Sequence, residues 1–175
     1  MHRRGLLYLV TATGVAIIGA GALAYAAAVR TVEINDQCDP DTFNAAVGPG
    51  TCTGHNAGVP FDVFLNQVET SGAAGPWHFG PGVVQLRDGD AVQARNTGGE
   101  THTFTEVAQF GGGFVDFLNQ LSGNPVAAPE CDPTKNPDIQ FVAPGQQTSP
   151  DLEEPGVHHY QCCIHPWMRT DVIVR

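Results

Sequence analysis

Near its end the chain reads Tyr160-Gln161-Cys162-Cys163-Ile164-His165-Pro166-Trp167-Met168. Within this stretch Cys162, His165 and Met168 follow the spacing C-x2-H-x2-M. A soft thiolate, an imidazole and a weakly binding thioether belong to the ligand set of a blue-copper site, which also needs a second histidine. The stretch therefore predicts a mononuclear metal site and requires one more ligand from elsewhere.

The second histidine has to come from a distant segment, because so tight a loop cannot surround a metal ion by itself. The best candidate is His102, which lies in the segment Gly98-Gly99-Glu100-Thr101-His102-Thr103-Phe104-Thr105. Residues 101–107 alternate as a strand does, so His102 is expected at a strand end. The predicted metal ligands are therefore His102, Cys162, His165 and Met168.

The residues before His102 complete a pattern that resembles the cupredoxins, the small blue-copper proteins. In order, the chain shows Phe79-Gly80-Pro81, Val83-Val84-Gln85-Leu86, Asp88-Gly89-Asp90, Ala91-Val92-Gln93-Ala94 and Asn96. The resemblance covers about residues 77–175, and the ligand loop is most similar to that of amicyanin and plastocyanin-like members. It implies an all-β, Greek-key β-sandwich with short helical insertions and one type 1 copper ion.

The resemblance also implies a role for two neighbours of the ligands. Thr103 follows His102 at the position where cupredoxins often place a hydrogen-bonding residue that joins the two ligand segments. Pro166 and Trp167 beside His165 are expected either to form an apolar rim for docking or simply to pack within the loop.

The ligand motif has three other interpretations. Cys162 could be a disulfide cysteine beside an incidental histidine. A structural zinc site prefers four Cys or His ligands and gains little from a thioether. A dinuclear copper site needs two cysteines four positions apart, whereas Cys162 and Cys163 are adjacent.

The N-terminus, residues 1–30, is expected to be a signal peptide or a membrane anchor. The basic residues Arg3 and Arg4 precede an almost wholly apolar segment, residues 5–28, that ends in small residues. Cleavage at an A-x-A pattern and retention as a spanning helix both fit this segment. Either outcome exports the rest of the chain to the periplasm, the extracellular space or the outer face of the cytoplasmic membrane, with membrane association through residues 5–28.

Five cysteines are an odd number for an exported protein. If Cys162 binds metal, Cys38, Cys52, Cys131 and Cys163 remain for two disulfides. Consecutive strand residues face opposite sides, so Cys163 is expected to face the insertion that carries Cys131. The preferred pairs are Cys131–Cys163 and Cys38–Cys52, although four cysteines allow three pairings.

Composition narrows the class of protein. The 175 residues include 21 Gly and 13 Pro with only 15% charged residues, which favours a turn-rich β protein. A net charge of −10 argues against nucleic acid as a partner. No paired-carboxylate, Ser-His-Asp or phosphate-loop pattern is present in the sequence, so an enzyme is not expected.

The sequence predicts an N-terminal extension, residues 31–76, followed by the copper-binding domain, residues 77–175, with an insertion at about 108–137. The extension contains the Cys38–Cys52 loop and a helix whose apolar face comprises Phe61, Phe64, Leu65 and Val68. The insertion repeats this spacing with Phe114, Phe117, Leu118 and Leu121, and both segments contain Phe-Leu-Asn-Gln.

The function that these features favour is transfer of single electrons by an exported mononuclear copper protein. The alternative is a copper-binding protein that stores or delivers the metal. The sequence does not identify the redox partner.

Overall fold

The computed structural model of this chain describes residues 27–54, 58–137 and 139–175. The predicted targeting segment therefore lies almost entirely outside the described residues. Within the described ranges, no helix combines the length and the apolar character that crossing a bilayer requires.

Within the described residues, ten strands form two four-stranded sheets and a small two-stranded one. The first sheet has the order β2-β1-β4-β8, from strands His78–Gly80, Val29–Asn35, Ala91–Asn96 and Asp151–Leu152. The second has the order β3-β10-β9-β6, from Val83–Leu86, Arg169–Val174, Gly156–Gln161 and Thr105–Val107. The remaining pair consists of β5, His102–Thr103, and β7, Phe141–Val142.

The core lies between the two large sheets and follows from the alternation of their strands. In β10, every second residue is buried, and β3 shows the same pattern. One contiguous apolar cluster joins residues of both sheets, among them Val32, Ile34, Val92, Ala94, Val84, Leu86, Val172 and Val174. The fold is the all-β sandwich with short helices that the sequence predicts.

In the part of the chain that the structure describes, three short helices lie outside the sheets: α1, Pro40–Ala46; α2, Phe61–Ser71; and α3, Asp116–Leu121. A 3-10 turn, Pro129–Cys131, follows α3. Helix α2 confirms the predicted helical face, because Phe64 and Val68 are buried and Phe61 and Leu65 pack against the core. It ends at Gly72, whose φ of 75° suits glycine.

The predicted apolar face of α3 is wrong in two respects. Phe114 lies before the helix, which begins at Asp116. Phe117 is 58% exposed, whereas its neighbour Leu118 is buried. The reason is the buried Asn119, whose amide accepts from the Gly113 N–H at 2.7 Å and donates to the Gly113 carbonyl at 2.8 Å. These bonds turn Leu118 and Asn119 inward and leave Phe117 on the outer side.

The N-terminal extension is interwoven with the sandwich. Strand β1 lies inside the first sheet, antiparallel to β2 and parallel to β4. Ala74, just before the expected boundary at residue 76, is fully buried. The division at residue 76 stays a prediction, and the structure adds that residues on both sides of it build one sheet.

Both preferred disulfides are present. Cys38 pairs with Cys52, and Cys131 pairs with Cys163, while Cys162 is a free, buried cysteine. The second bridge attaches the insertion after β6 to the segment that follows β9.

Candidate metal centre

The turn before β5 is held by a buried asparagine. The side-chain amide of Asn96 donates to the carbonyls of Glu100 at 2.7 Å and Val142 at 2.8 Å, and it accepts from Gly98 N–H at 2.9 Å. Because these bonds fix the turn and tie it to β7, they also fix the start of β5. His102 is the first residue of that strand.

The other three predicted ligands lie in the tight connection between β9 and β10. The Cys162 N–H donates to the Met168 carbonyl at 3.0 Å, and the Met168 N–H donates to the His165 carbonyl at 2.9 Å. The side chains of Cys162 and Met168 are fully buried, and His165 is nearly so. Backbone hydrogen bonds within the connection therefore fix its shape without a contribution from a metal ion.

The structure brings the potential donor atoms of three predicted ligands close together. His102 Nδ1 lies 3.7 Å from Cys162 Sγ, His165 Nδ1 lies 3.9 Å from the same sulfur, and the two ring nitrogens are 3.3 Å apart. Metal–nitrogen and metal–sulfur bonds of ordinary length in a trigonal plane give N–N and N–S separations of about 3.5 and about 3.8 Å. The side chains thus fit one small transition-metal ion without rearrangement. Met168 is in the same closed connection, and its assignment as axial ligand stays a prediction.

Thr103 joins the two ligand segments, as the resemblance implies. Its backbone N–H points at Cys162 Sγ, 3.4 Å away, and its hydroxyl accepts a 2.7 Å hydrogen bond from the Cys163 N–H. A hydrogen bond to sulfur stabilises the thiolate and fixes its direction. The threonine therefore links the segment of His102 to the segment of Cys162.

A carboxylate that the sequence motif does not include completes the surroundings of His102. Asp36 Oδ2 accepts from His102 Nε2 at 2.8 Å, with both side chains fully buried. Asp36 also accepts from the backbone N–H groups of Gly99 at 2.9 Å and Glu100 at 3.0 Å. With Nε2 engaged in this way, the Nδ1 of His102 is left to face the sulfur.

Contacts between His102, Cys162 and Asp36 shift the pKa of each of these side chains. Burial alone would lower the pKa of His102, but the hydrogen bonds to Asp36 and Cys162 raise it to about 10. Burial would raise the pKa of the Cys162 thiol, yet the hydrogen bonds and charges of His102 and His165 hold it well below its ordinary value. Burial opposes ionisation of Asp36 as well, and the His102 contact nevertheless lowers its pKa. These shifts favour a Cys162 thiolate beside a protonated His102, and a metal cation can take the place of that proton.

A second missed carboxylate, Glu100, lies beside His165. Its Oε2 is 3.8 Å from His165 Nε2 and accepts from Trp77 Nε1 at 2.6 Å. Burial raises the pKa of Glu100. One feature of the sequence points to Glu100, because it lies two residues before the predicted ligand His102.

Aromatic side chains of α2 and of the ligand connection surround His165. The ring of Trp167 is 5.4 Å from the His165 ring, and the ring of Phe64 is 6.1 Å from it. Phe64 and Trp167 are themselves 6.0 Å apart. Trp167 thus packs within the loop, against both the ligand and the N-terminal extension.

The other histidines that the structure describes stand apart from this cluster. His158 and His159 bond to carboxylates on the second sheet, and His78 is exposed. His2 and His55 lie outside the described residues.

No family model and no curated protein matches this chain. Solved structures similar to it include a purple cupredoxin from Nitrosopumilus maritimus, at 15% identity and a TM-score of 0.45, over 83% of this chain and 98% of that one. A Cu(I) mutant of amicyanin is 20% identical with a TM-score of 0.38, over 56% of this chain and 73% of that one. A reduced amicyanin mutant is 22% identical with a TM-score of 0.36, over 54% and 70%. At TM-scores below 0.5 we draw no conclusion from these likenesses.

Proposed function

We propose that this chain is an exported mononuclear blue-copper protein that carries single electrons. The observation that carries the proposal is the convergence of His102 Nδ1, Cys162 Sγ and His165 Nδ1 in a buried triangle with edges of 3.3–3.9 Å. One thiolate, two imidazoles and a weak thioether are a donor set that would favour copper among the common metals. Met168 is the proposed thioether ligand.

The bound ion would supply the Cu(I)/Cu(II) couple, and the protein's own groups keep the ligands in place. Asp36 and the Thr103 N–H hold His102 and Cys162 by bonds that do not depend on the charge of the ion. Full burial of Cys162 and Met168 excludes water from the site. A rigid, dry ligand set changes little between two oxidation states, and this favours rapid electron exchange.

The apolar surroundings of His165 are the proposed docking surface for a protein redox partner. His165 is only 3% exposed and Phe64 is buried, but the half-buried ring of Trp167 lies 5.4 Å from the His165 ring and reaches the surface beside it. The net charge of −10 disfavours nucleic acid and suits a partner with basic groups around this surface. Two disulfides favour an oxidising compartment, in keeping with export.

The test is the visible spectrum of copper-loaded protein. We expect a strong thiolate-to-copper band that disappears on reduction and returns on oxidation. Cys162→Ser should remove the band, and His102→Ala should weaken or shift it, while the surface variant His159→Ala leaves it unchanged.

Two results would contradict the proposal. A His102→Ala spectrum identical to that of the unaltered protein would mean that another residue is the fourth ligand. Tight Cu(I) binding with transfer to a metal-free acceptor and no electron exchange would favour the alternative function, copper storage or delivery.

A further inference from the structure

Three ionisable side chains meet beside β6, the edge strand of the second sheet, on the sheet face that also carries Tyr160 and Val172, apart from the proposed copper ligands. His158 Nδ1 lies 2.7 Å from Glu106 Oε1 and 3.1 Å from Glu153 Oε2. The three potential ligand atoms all lie within 4.8 Å of one another. One nitrogen and two carboxylate oxygens at such distances are a donor set for a divalent cation.

Three elements of the fold, β6, β9 and the turn before β9, each contribute one of these side chains. Glu106 is on β6 and His158 is on β9, and the register that opposes Glu106 to Tyr160 makes Glu106 and His158 diagonal neighbours on one face. Glu153 comes from the turn between β8 and β9, and its other oxygen accepts a hydrogen bond from the Tyr160 hydroxyl. The side chains of His158 and Glu153 are 16% and 7% exposed, so the cluster is partly removed from solvent.

The two nitrogens of His158 have different partners, and this decides what the cluster can hold. Nε2 lies 2.8 Å from the Glu154 carbonyl oxygen, which can only accept, so Nε2 carries a proton. Nδ1 then faces two carboxylate oxygens, and a positive charge has to lie among these three atoms. A histidine that donates one N–H to a backbone carbonyl and directs its other nitrogen at carboxylates has the arrangement of a metal-ligating histidine.

We propose that Glu106, Glu153 and His158 form a second metal site, which takes a divalent cation such as Zn²⁺ in place of the proton on Nδ1. Water would supply the remaining coordination, since Glu106 is half exposed and leaves one side open. Asp151 on β8 adds negative charge next to Glu153. The site shares no ligand with the proposed copper centre, so it stands whether or not that centre binds copper.

Equilibrium dialysis of the metal-free protein against micromolar Zn²⁺ tests the proposal by stoichiometry. His158→Gln and Glu106→Gln should each bind one Zn²⁺ fewer than the unaltered protein. The control is His159→Gln, because His159 is the next residue of β9 and pairs with a single carboxylate, Asp171 at 2.7 Å. This control should keep full stoichiometry.

A second measurement separates the two metal sites. Cys162→Ser should retain the Zn²⁺ ion that His158→Gln loses, whatever it does to the proposed copper site. Near-UV circular dichroism checks the folding of each variant, and Glu106→Gln alters a half-exposed side chain that folding tolerates. Equal Zn²⁺ stoichiometry in His158→Gln, Glu106→Gln and the unaltered protein would overturn the proposal and leave the cluster as a proton-held ion pair.

Discussion

Asp36 is the residue that most changes how the candidate metal centre is understood. It comes from the end of the N-terminal strand, 66 residues before His102, and is buried against that ligand's Nε2. A carboxylate on the far nitrogen of a ligating imidazole fixes its orientation and makes the other nitrogen a stronger donor. The N-terminal extension therefore supplies a group that acts directly on a proposed ligand.

Asp36→Asn should weaken Cu(II) binding roughly 10- to 100-fold, because the amide keeps the size of the side chain but loses its charge. Competition with a chelator of known affinity measures the change. The control is Asp41→Asn, which removes an exposed carboxylate from α1 of the same extension. Equal losses in both variants, or none in either, would show that Asp36 does not act through His102.

Residue spacing in the sequence was sufficient for part of this site. The C-x2-H-x2-M pattern and the turn before His102 identified three side chains that the structure brings within 3.9 Å of one another. Asp36 and Glu100 could not be found in this way. The packing of distant segments determines which groups contact these carboxylates, and the local sequence does not show that a carboxylate will be buried.

The helices α2 and α3 show how far local pattern determines packing. Both contain Phe-Leu-Asn-Gln, at residues 64–67 and 117–120, yet Phe64 is 2% exposed and Phe117 is 58% exposed. Helical spacing specifies which residues share a face, but not which face meets the core. In α3 the hydrogen bonds of Asn119 to Gly113 make that choice.

Phe64→Ala should lower the free energy of unfolding by about 3–5 kcal/mol, because it leaves a cavity beneath α2. Phe117→Ala, at the same place in the repeated tetrapeptide, should change it by no more than about 0.5 kcal/mol. Urea denaturation of both variants gives the comparison. Similar losses would mean that the two helices pack alike after all.

The arrangement of the sheets is only partly a matter of local sequence. Alternation in β3 and β10 marks the inward face of each strand, but the sandwich itself is what the resemblance to the cupredoxins implies. The place of β1, parallel to β4 in the first sheet, joins segments about 60 residues apart and left no local signal. The extension was consequently expected to precede the sandwich rather than to form part of it.

Metal binding by the protein as a whole should depend on pH in a defined way. His102, with its pKa raised to about 10, keeps its proton at neutral pH and must lose it to bind, whereas the pKa of Cys162 is already well below its ordinary value. Apparent copper affinity should therefore rise about tenfold per pH unit between pH 7 and 9, for release of one proton. Competition titrations across this range measure the slope. A slope of two protons would show that the thiol is still protonated.

The adjacency of Cys162 and Cys163 has a consequence for how the protein matures. Before the chain folds, an oxidant could join Cys131 to either of two adjacent thiols, Cys162 or Cys163. A Cys131–Cys162 bridge would remove the sulfur that is the proposed metal ligand. In the folded chain the Thr103 hydroxyl accepts a hydrogen bond from the Cys163 N–H, and the Thr103 N–H donates to Cys162 Sγ. The fold therefore holds Cys162 at the proposed metal site and leaves Cys163 for the bridge. We therefore expect assembly of the sandwich to precede oxidation of this bridge, with premature oxidation yielding a colourless product.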